Sequence, residues 1–375
     1  MDHGPFDVAI VGAGIVGLAH ALAAARHGRR VVVVDRDAQA NGASIRNFGF
    51  VTVTGQEQGV VWRRALRSRD VWLEIAGPAG IAIEQHGLVM VAQRPEARAV
   101  CEAFLATDMA EGCRWHDSAA ARAVLGELSP AKLEGVLTSS ADIRVESRTA
   151  IPRLADWLAD HHGVTFRRGV AVHRVETGRL ETSAGQIDAA AIIVCPGDDL
   201  ATVFPQSLAG VTRCKLQMLR LASPGYRMPA AIMSDLSLVR YLGYAALPES
   251  APLRRRLEAE QSDHLAHGIH LIVTQSADGS LVVGDSHHYA ATPDPFADAQ
   301  VDDLILEEFR AVFGLVPPVI ERWTGTYASA PGHSHVSQPL PGVHLVVVTS
   351  GTGASTAFAL AEETIAYIAN EGSAA

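Results

Sequence analysis

Short apolar runs closed by glycine alternate along the chain with longer stretches in which apolar residues recur every three or four positions. DVAIVG (7–12) reads as a buried strand, GAGIVG as a tight turn, LAHALAAARHG (18–28) as an Ala-rich helix stopped by Gly28, and RVVVVD as a second strand, giving one strand–helix–strand unit. VVWRRALRSRDVWLEIAG (60–77) has helical spacing and ends at Gly77 and Pro78, HGLVMVAQ (86–93) reads as a strand, and residues 94–130 read as irregular helical scaffold. RTAIPRLADWLADHHG (148–163) predicts a helix, followed by strands in VTFRRGVAVHRVET and DAAAIIVCPG. The runs CKLQMLRLA, HLIVTQ and SLVVGDSH between residues 212 and 290, with the charged helix PLRRRLEAEQ among them, imply a mostly antiparallel sheet. After a helix in DDLILEEFRAVFG, the segment PGVHLVVVTSGTGASTAFALAEETIAYIAN repeats the opening grammar of strand, glycine turn and helix. The implied layout is a discontinuous α/β domain interrupted by an α+β domain.

A chain of 375 residues, 48% hydrophobic, buries a large core and fits two closely joined domains. A formal net charge of -10 argues against a nucleic-acid or anionic-membrane partner and favours a small molecule. Cys101, Cys113, Cys195 and Cys214 lie far apart with no CxxC pair, so reduced thiols in the cytoplasm are expected rather than disulfides or zinc. The N-terminus has no basic region ahead of its apolar run, which Gly12, Gly14 and Gly17 interrupt, so neither a signal peptide nor a membrane span is expected.

GAGIVG places Gly12, Gly14 and Gly17, with Ala13, Ile15 and Val16 between them, after a strand and before a helix. The first glycine allows the turn, the second lets backbone approach a pyrophosphate, and the third allows close helix packing, while the helix N-terminus favours the anion. Asp35 ends the second strand 18 residues after Gly17, where a carboxylate meets a ribose hydroxyl, with Arg36 beside it. This unit is compatible with FAD or NAD.

The order of this unit, the strands in VTFRRGVAVHRVE, the strand into CPG and the C-terminal TSGTGAST helix resembles the D-amino-acid oxidase and glycine oxidase superfamily of FAD enzymes over nearly the whole chain. The resemblance implies a Rossmann-like FAD-binding domain of residues 1–85, 141–211 and 318–375, and a substrate domain of residues 86–140 and 212–317. It implies FAD held at Gly12, Gly14, Gly17 and Asp35, with Val172 at adenine, Pro196 and Gly197 at the strand end, and Gly351, Thr352 and Gly353 at the flavin's pyrimidine end. GASIRNFGF then lies along the flavin: Gly42, Ala43 and Ser44 at the pyrophosphate and ribityl region, Arg46, Asn47 and Phe48 along the ring edge, and Gly49 avoiding a clash. No cysteine falls in GASIRNFG or TSGTGAST, so noncovalent FAD is expected.

The fuller pattern GASIRNFG…GQ resembles a narrower subgroup associated with aminophosphonate breakdown. The implied activity is oxidation of a small amine, 2-aminoethylphosphonate or its N-methyl derivative, to an aldehyde through hydride transfer to the flavin, with oxygen as acceptor. In relatives that oxidise α-amino acids, a strand reading Trp-x-Gly-x-Arg-Pro supplies a carboxylate-binding arginine; here WTGTYASAP puts Tyr327 at that position. A tyrosine cannot make the bidentate charged fork. Arg46, Arg213, Lys215, His287 and His288 are therefore the candidate anion ligands, with Tyr327 positioning the substrate. Lys215 and Gln217 share one strand face, which lines either the cavity or the outer surface. His287 and His288 point to opposite faces, and no third ligand at metal spacing accompanies them in the sequence, so no metal is expected. The pairs His161/His162 and His333/His335 read as structural or accessory. A sarcosine, glycine or D-amino-acid oxidase or dehydrogenase, and a non-catalytic FAD-binding sensor or structural protein, remain open alternatives.

Overall fold

The computed structural model describes residues 6–374. Residues 1–5, which carry part of the N-terminal reading and of the 1–85 segment, and residue 375 lie outside the described residues.

Five parallel strands form the first sheet: β1 (Phe6–Val11), β2 (Val31–Asp35), β5 (Thr165–Arg168), β6 (Gly185–Val194) and β12 (Val343–Ser350). Their spatial order is β5-β2-β1-β6-β12. Numbered along the chain this is 3-2-1-4-5, the doubly wound order of dinucleotide-binding sheets. Val31 to Val34 are all buried because both faces of the sheet are covered, which explains a continuous rather than alternating apolar run. One face packs α1 (Ile15–Arg26), α2 (Val60–Ala76), α3 (Ser147–His162) and α5 (Gly353–Ala374) through Leu18, Leu22, Trp72, Leu154 and Phe358. The other face is covered by the hairpin Val172–Glu176/Arg179–Thr182 through Val172, Val175 and Leu180.

The second sheet is mostly antiparallel. It contains β3 (Ile83–Ala92), β4 (Gly135–Val145), β7 (Thr212–Leu221), β8 (Ala231–Ser234), β9 (Ile272–Gln275) and β10 (Leu281–Gly284). The order β7-β10-β9-β8-β3-β4 has one parallel pair, β8 with β3. α4 (Ala299–Phe313) packs on it through Ile305, Phe309 and Phe313. A single long strand, β11 (Val319–Leu340), joins the sheets: residues 319–329 pair with β7 and residues 329–340 with β12. The chain thus crosses between layers inside a strand rather than at a linker, and β4 likewise runs through residue 140.

Residues 94–130 are less uniformly helical than their composition implied. Between the helices Pro95–Phe104 and Ser118–Leu125, Cys113–Asp117 is a strand paired antiparallel with β4. A five-residue strand at a sheet edge is too short for its alternation to declare itself in sequence. Among the described residues, no helix is long and apolar enough to cross a membrane, and all four cysteines are free.

Candidate active site

A cavity of about 810 Å³ runs from the β1–α1 turn across both sheets to β11. At one end the glycine turn is built by close backbone approaches. A Cβ on Gly12 would lie 2.4 Å from the Cys195 carbonyl oxygen, and one on Gly17 1.9 Å from the Gly12 carbonyl oxygen. The first four N–H groups of α1 have no intrahelical acceptor. Ser44 Oγ accepts from the Ile15 N–H at 2.9 Å, and a Cβ on Gly14 would lie 2.9 Å from the same oxygen. That leaves a polar, uncrowded cradle for an anion at a helix N-terminus. Asp35 lines the cavity, accepting from Ala13 N–H at 2.6 Å and Asp37 N–H at 2.8 Å, while Arg36 pairs with Asp199 at 2.9 Å. Val172, Pro196 and Gly197 line the same end. Gly42, Ala43, Ser44, Phe48, Gly351, Thr352 and Gly353 line the middle, where a Cβ on Gly351 would come within 3.1 Å of the Tyr327 ring.

The segment beginning at Gly42 is held by a network of its own. Asn47 Nδ2 donates to the Ala43 carbonyl at 2.7 Å, and its Oδ1 accepts from Gly49 N–H at 2.7 Å and from the Ser147 hydroxyl at 2.8 Å. Its side chain therefore fixes the loop, and the residue also lines the cavity. Farther on, the buried Asp142 carboxylate accepts from Val53 N–H, Thr54 N–H and the Thr54 hydroxyl at 2.8, 3.0 and 2.7 Å, and Ser355 Oγ accepts from Thr52 N–H at 2.9 Å.

Several sequence expectations are corrected. Ala13 and Gly49 do not line the cavity. Ala13 is buried with its N–H on Asp35, and Gly49 (φ 70°) is required because a Cβ would lie 1.7 Å from the Val145 carbonyl oxygen. Lys215 and Gln217 share the face of β7 turned toward α4: Lys215 Nζ donates to Asp294 and to the Phe296 carbonyl, both at 2.8 Å, and Gln217 bonds Asp302 and Asp298. Leu216, between them, lines the cavity. Lys215 is therefore no anion ligand. Arg213 is spent on the carbonyls of Asp198 and Ala291 at 2.7 and 2.6 Å, and His288 meets His267 at 3.0 Å outside the cavity.

Arg46, Tyr327 and His287 do line the cavity, in company that no spacing announced: Arg240, Tyr241, His270, Asp285 and Tyr289. Arg240 and Tyr241 follow the short helix Asp235–Leu238, and Asp285 and His287 follow β10. His270 precedes β9, and its carbonyl accepts from Asp285 N–H at 3.2 Å, so the β9–β10 pairing brings the two together. The third metal-type ligand missing from the local sequence thus arrives from elsewhere: His270, Asp285 and His287 have ligand atoms within 4.8 Å of one another. Burial pushes His287 down to about 3 and lowers His270, keeping both imidazoles neutral near pH 7. Burial would raise the Asp285 carboxyl, but the His270 hydrogen bond and the Arg240 charge bring it net below its ordinary value. Burial opposes the Arg240 charge; the Tyr289 hydroxyl, accepting from it at 3.0 Å, leads the groups that more than offset this. The Tyr327 hydroxyl is pushed up, chiefly by burial, and stays protonated.

A doubly wound sheet, a glycine turn, a carboxylate at the end of β2 and a cavity reaching a second sheet together define a two-layer dinucleotide-binding protein. The chain belongs to the FAD-dependent oxidoreductase family DAO, whose model matches residues 7–367. No curated protein sequence matches it. Among solved structures it is similar to glycine oxidase from Geobacillus kaustophilus (16% identity, TM-score 0.76, covering 97% of this chain and 94% of that one). It is likewise similar to iminodiacetate oxidase from Chelativorans sp. BNC1 (19%, 0.72, 94% and 93%). A third is L-α-glycerophosphate oxidase from Mycoplasma pneumoniae with FAD bound (14%, 0.73, 96% and 94%). At these identities the likeness is one of fold. The cradle at Gly14 and a cavity lined continuously from the β1–α1 turn to the TSGTG segment fit FAD.

Proposed function

We propose that the protein oxidises a small amine carrying a distal anion, with 2-aminoethylphosphonate or its N-methyl derivative as substrate and oxygen as electron acceptor. The observation that carries this reading is the placement of one guanidinium, Arg240, and one carboxylate, Asp285, in the same buried end of the cavity, beyond the residues suited to the dinucleotide. An aminoalkyl anion is complementary to that pair of charges. Bound there, FAD would supply a two-electron acceptor for the hydrogen on the amine-bearing carbon. The protein's part is to fix that carbon and exclude water: Arg240 and the protonated Tyr327 hydroxyl hold the anion, while Leu216 and Ile272 wall the cavity. Arg46 donates to Asn41 at 3.0 Å and to the Thr324 carbonyl at 3.4 Å, both neutral, which leaves its charge available to the cofactor side.

Burial of Cys195 pushes its thiol far up, so the cavity's one cysteine among the described residues stays protonated and unreactive, which supports noncovalent FAD. Four free cysteines fit a reducing, cytoplasmic compartment. An α-amino-acid oxidase or dehydrogenase acting on glycine, sarcosine or a D-amino acid is the second reading, favoured by Arg240 itself, whose fork suits a carboxylate. The test mixes the flavin-loaded protein with 2-aminoethylphosphonate, its N-methyl derivative, glycine and sarcosine, following flavin bleaching and peroxide. Bleaching by the phosphonates supports the proposal; bleaching by glycine or sarcosine alone replaces it with the second reading.

A further inference from the structure

At the end of the cavity a carboxylate and two imidazoles converge, and one carboxylate oxygen and one ring nitrogen face each other with no proton between them. Asp285 is 4% exposed, and its Oδ1 stands 3.1 Å from His270 Nε2. His287 Nδ1 faces the Gly268 carbonyl at 2.9 Å. A carbonyl only accepts, so the His287 proton is on Nδ1 and its Nε2, 3.8 Å from Asp285 Oδ2, presents a lone pair. His270 Nδ1 lies 3.4 Å from Ser237 Oγ, whose hydroxyl is 3.3 Å from the Leu271 carbonyl. When that hydroxyl donates to Nδ1, the His270 proton sits on Nε2 and points at Asp285 Oδ1, so Asp285 Oδ2 and His287 Nε2 are the acceptors left facing each other. The two rings are stacked, with centroids 5.2 Å apart, which holds both edges toward the carboxylate. A buried group of acceptors of this kind is unstable unless a cationic donor enters it.

Charge selects which cation. The cavity already contains the Arg240 guanidinium, and the cluster carries one carboxylate. A divalent metal would leave excess positive charge in a buried space, whereas an ammonium group neutralises Asp285 and leaves Arg240 for the anion of the same molecule. A primary or secondary ammonium carries at least two N–H bonds, enough to donate to Asp285 Oδ2 and His287 Nε2 together.

We infer that His270, Asp285 and His287 form the subsite for the amino group of the substrate, taking a primary or secondary ammonium. This rests on the proposed amine oxidation but makes its own demand on binding. The experiment is calorimetric titration of the FAD-loaded protein with 2-amino-2-methylpropylphosphonate, which has no hydrogen on its amine-bearing carbon, and with 2,2-dimethylpropylphosphonate, its isostere lacking nitrogen. The wild type is expected to prefer the amine by at least about tenfold, as for a charge-assisted contact. Asp285→Asn is expected to abolish that preference while keeping its affinity for the isostere. His270→Gln, a second variant in case Asp285→Asn fails to retain FAD, is expected to reduce the preference. Tert-butylammonium separates this subsite from the phosphonate reading: it is expected to bind the wild type and not Asp285→Asn even if neither phosphonate binds. An undiminished amine preference in both variants, no binding of tert-butylammonium to the wild type, or stoichiometric zinc or iron in the protein as isolated would overturn the inference.

Discussion

Replacing Arg240 by Met removes the positive charge at the buried end of the cavity while keeping a long apolar stem. In the wild type the guanidinium is held by the Tyr289 hydroxyl at 3.0 Å and kept charged against burial. A hydrogen bond to a charged group contributes about 1.5–3 kcal/mol, or about 10- to 150-fold in affinity. Leaving a desolvated anion without its partner extends the loss toward about 5 kcal/mol. Arg240→Met is therefore expected to weaken ethylphosphonate binding to the FAD-loaded protein by at least about tenfold, measured by calorimetry. It should raise KM for 2-aminoethylphosphonate at least as much. Arg46→Met is the comparison: it is expected to lower FAD retention more than phosphonate affinity. Unchanged phosphonate affinity in Arg240→Met, with a large loss in Arg46→Met, would refute the assignment and return the clamp to Arg46.

Gly17→Ala forces a methyl to within 1.9 Å of the Gly12 carbonyl oxygen, so the turn must open. At about 1–3 kcal/mol for overpacking, FAD affinity should fall about 5- to 150-fold, read by flavin retained after gel filtration. His20 is held down to about 4 by burial against an ordinary 6.5, with Nδ1 on the Val16 carbonyl. The unfolded chain binds the proton first as pH falls, so this stability is complete above 6.5 and lost toward 4. The slope amounts to about 3 kcal/mol and should disappear in His20→Gln, measured by urea unfolding across that range. Asp142→Ala frees three donors at Val53 and Thr54 and should destabilise the protein by at least about 2 kcal/mol, visible as a lower Tm. Lys215→Met should leave phosphonate affinity within about twofold, because its ammonium is tied to Asp294 outside the cavity.

The first sheet was legible because its signals are local. The VVVV run and the glycines of GAGIVG each carry their reason within a few residues, and the close approaches at Gly12 and Gly17 are the ones those positions require. The acidic, basic and aromatic groups at the far end of the cavity were less legible because their proximity depends on sheet pairing. His270 and Asp285 stand 15 positions apart and meet only through the β9–β10 ladder, and Arg240 lies in a stretch of short helices with no periodic pattern. Lys215 shows the opposite failure. Its alternation with Leu216 places it on one face, but which face meets the cavity is decided by where α4 packs. Gly49 needs its freedom for a reason no local pattern carries, since the backbone it approaches is Val145, nearly a hundred residues away.

The most direct test of the amine-oxidation reading is anaerobic mixing of the purified flavoprotein with 2-aminoethylphosphonate, following the flavin spectrum before and after air is admitted. Loss of the yellow absorbance without oxygen, and its return on aeration with formation of peroxide and one aldehyde per flavin, is the expected result. A spectrum that stays oxidised with the phosphonate amines and with glycine and sarcosine alike would contradict it.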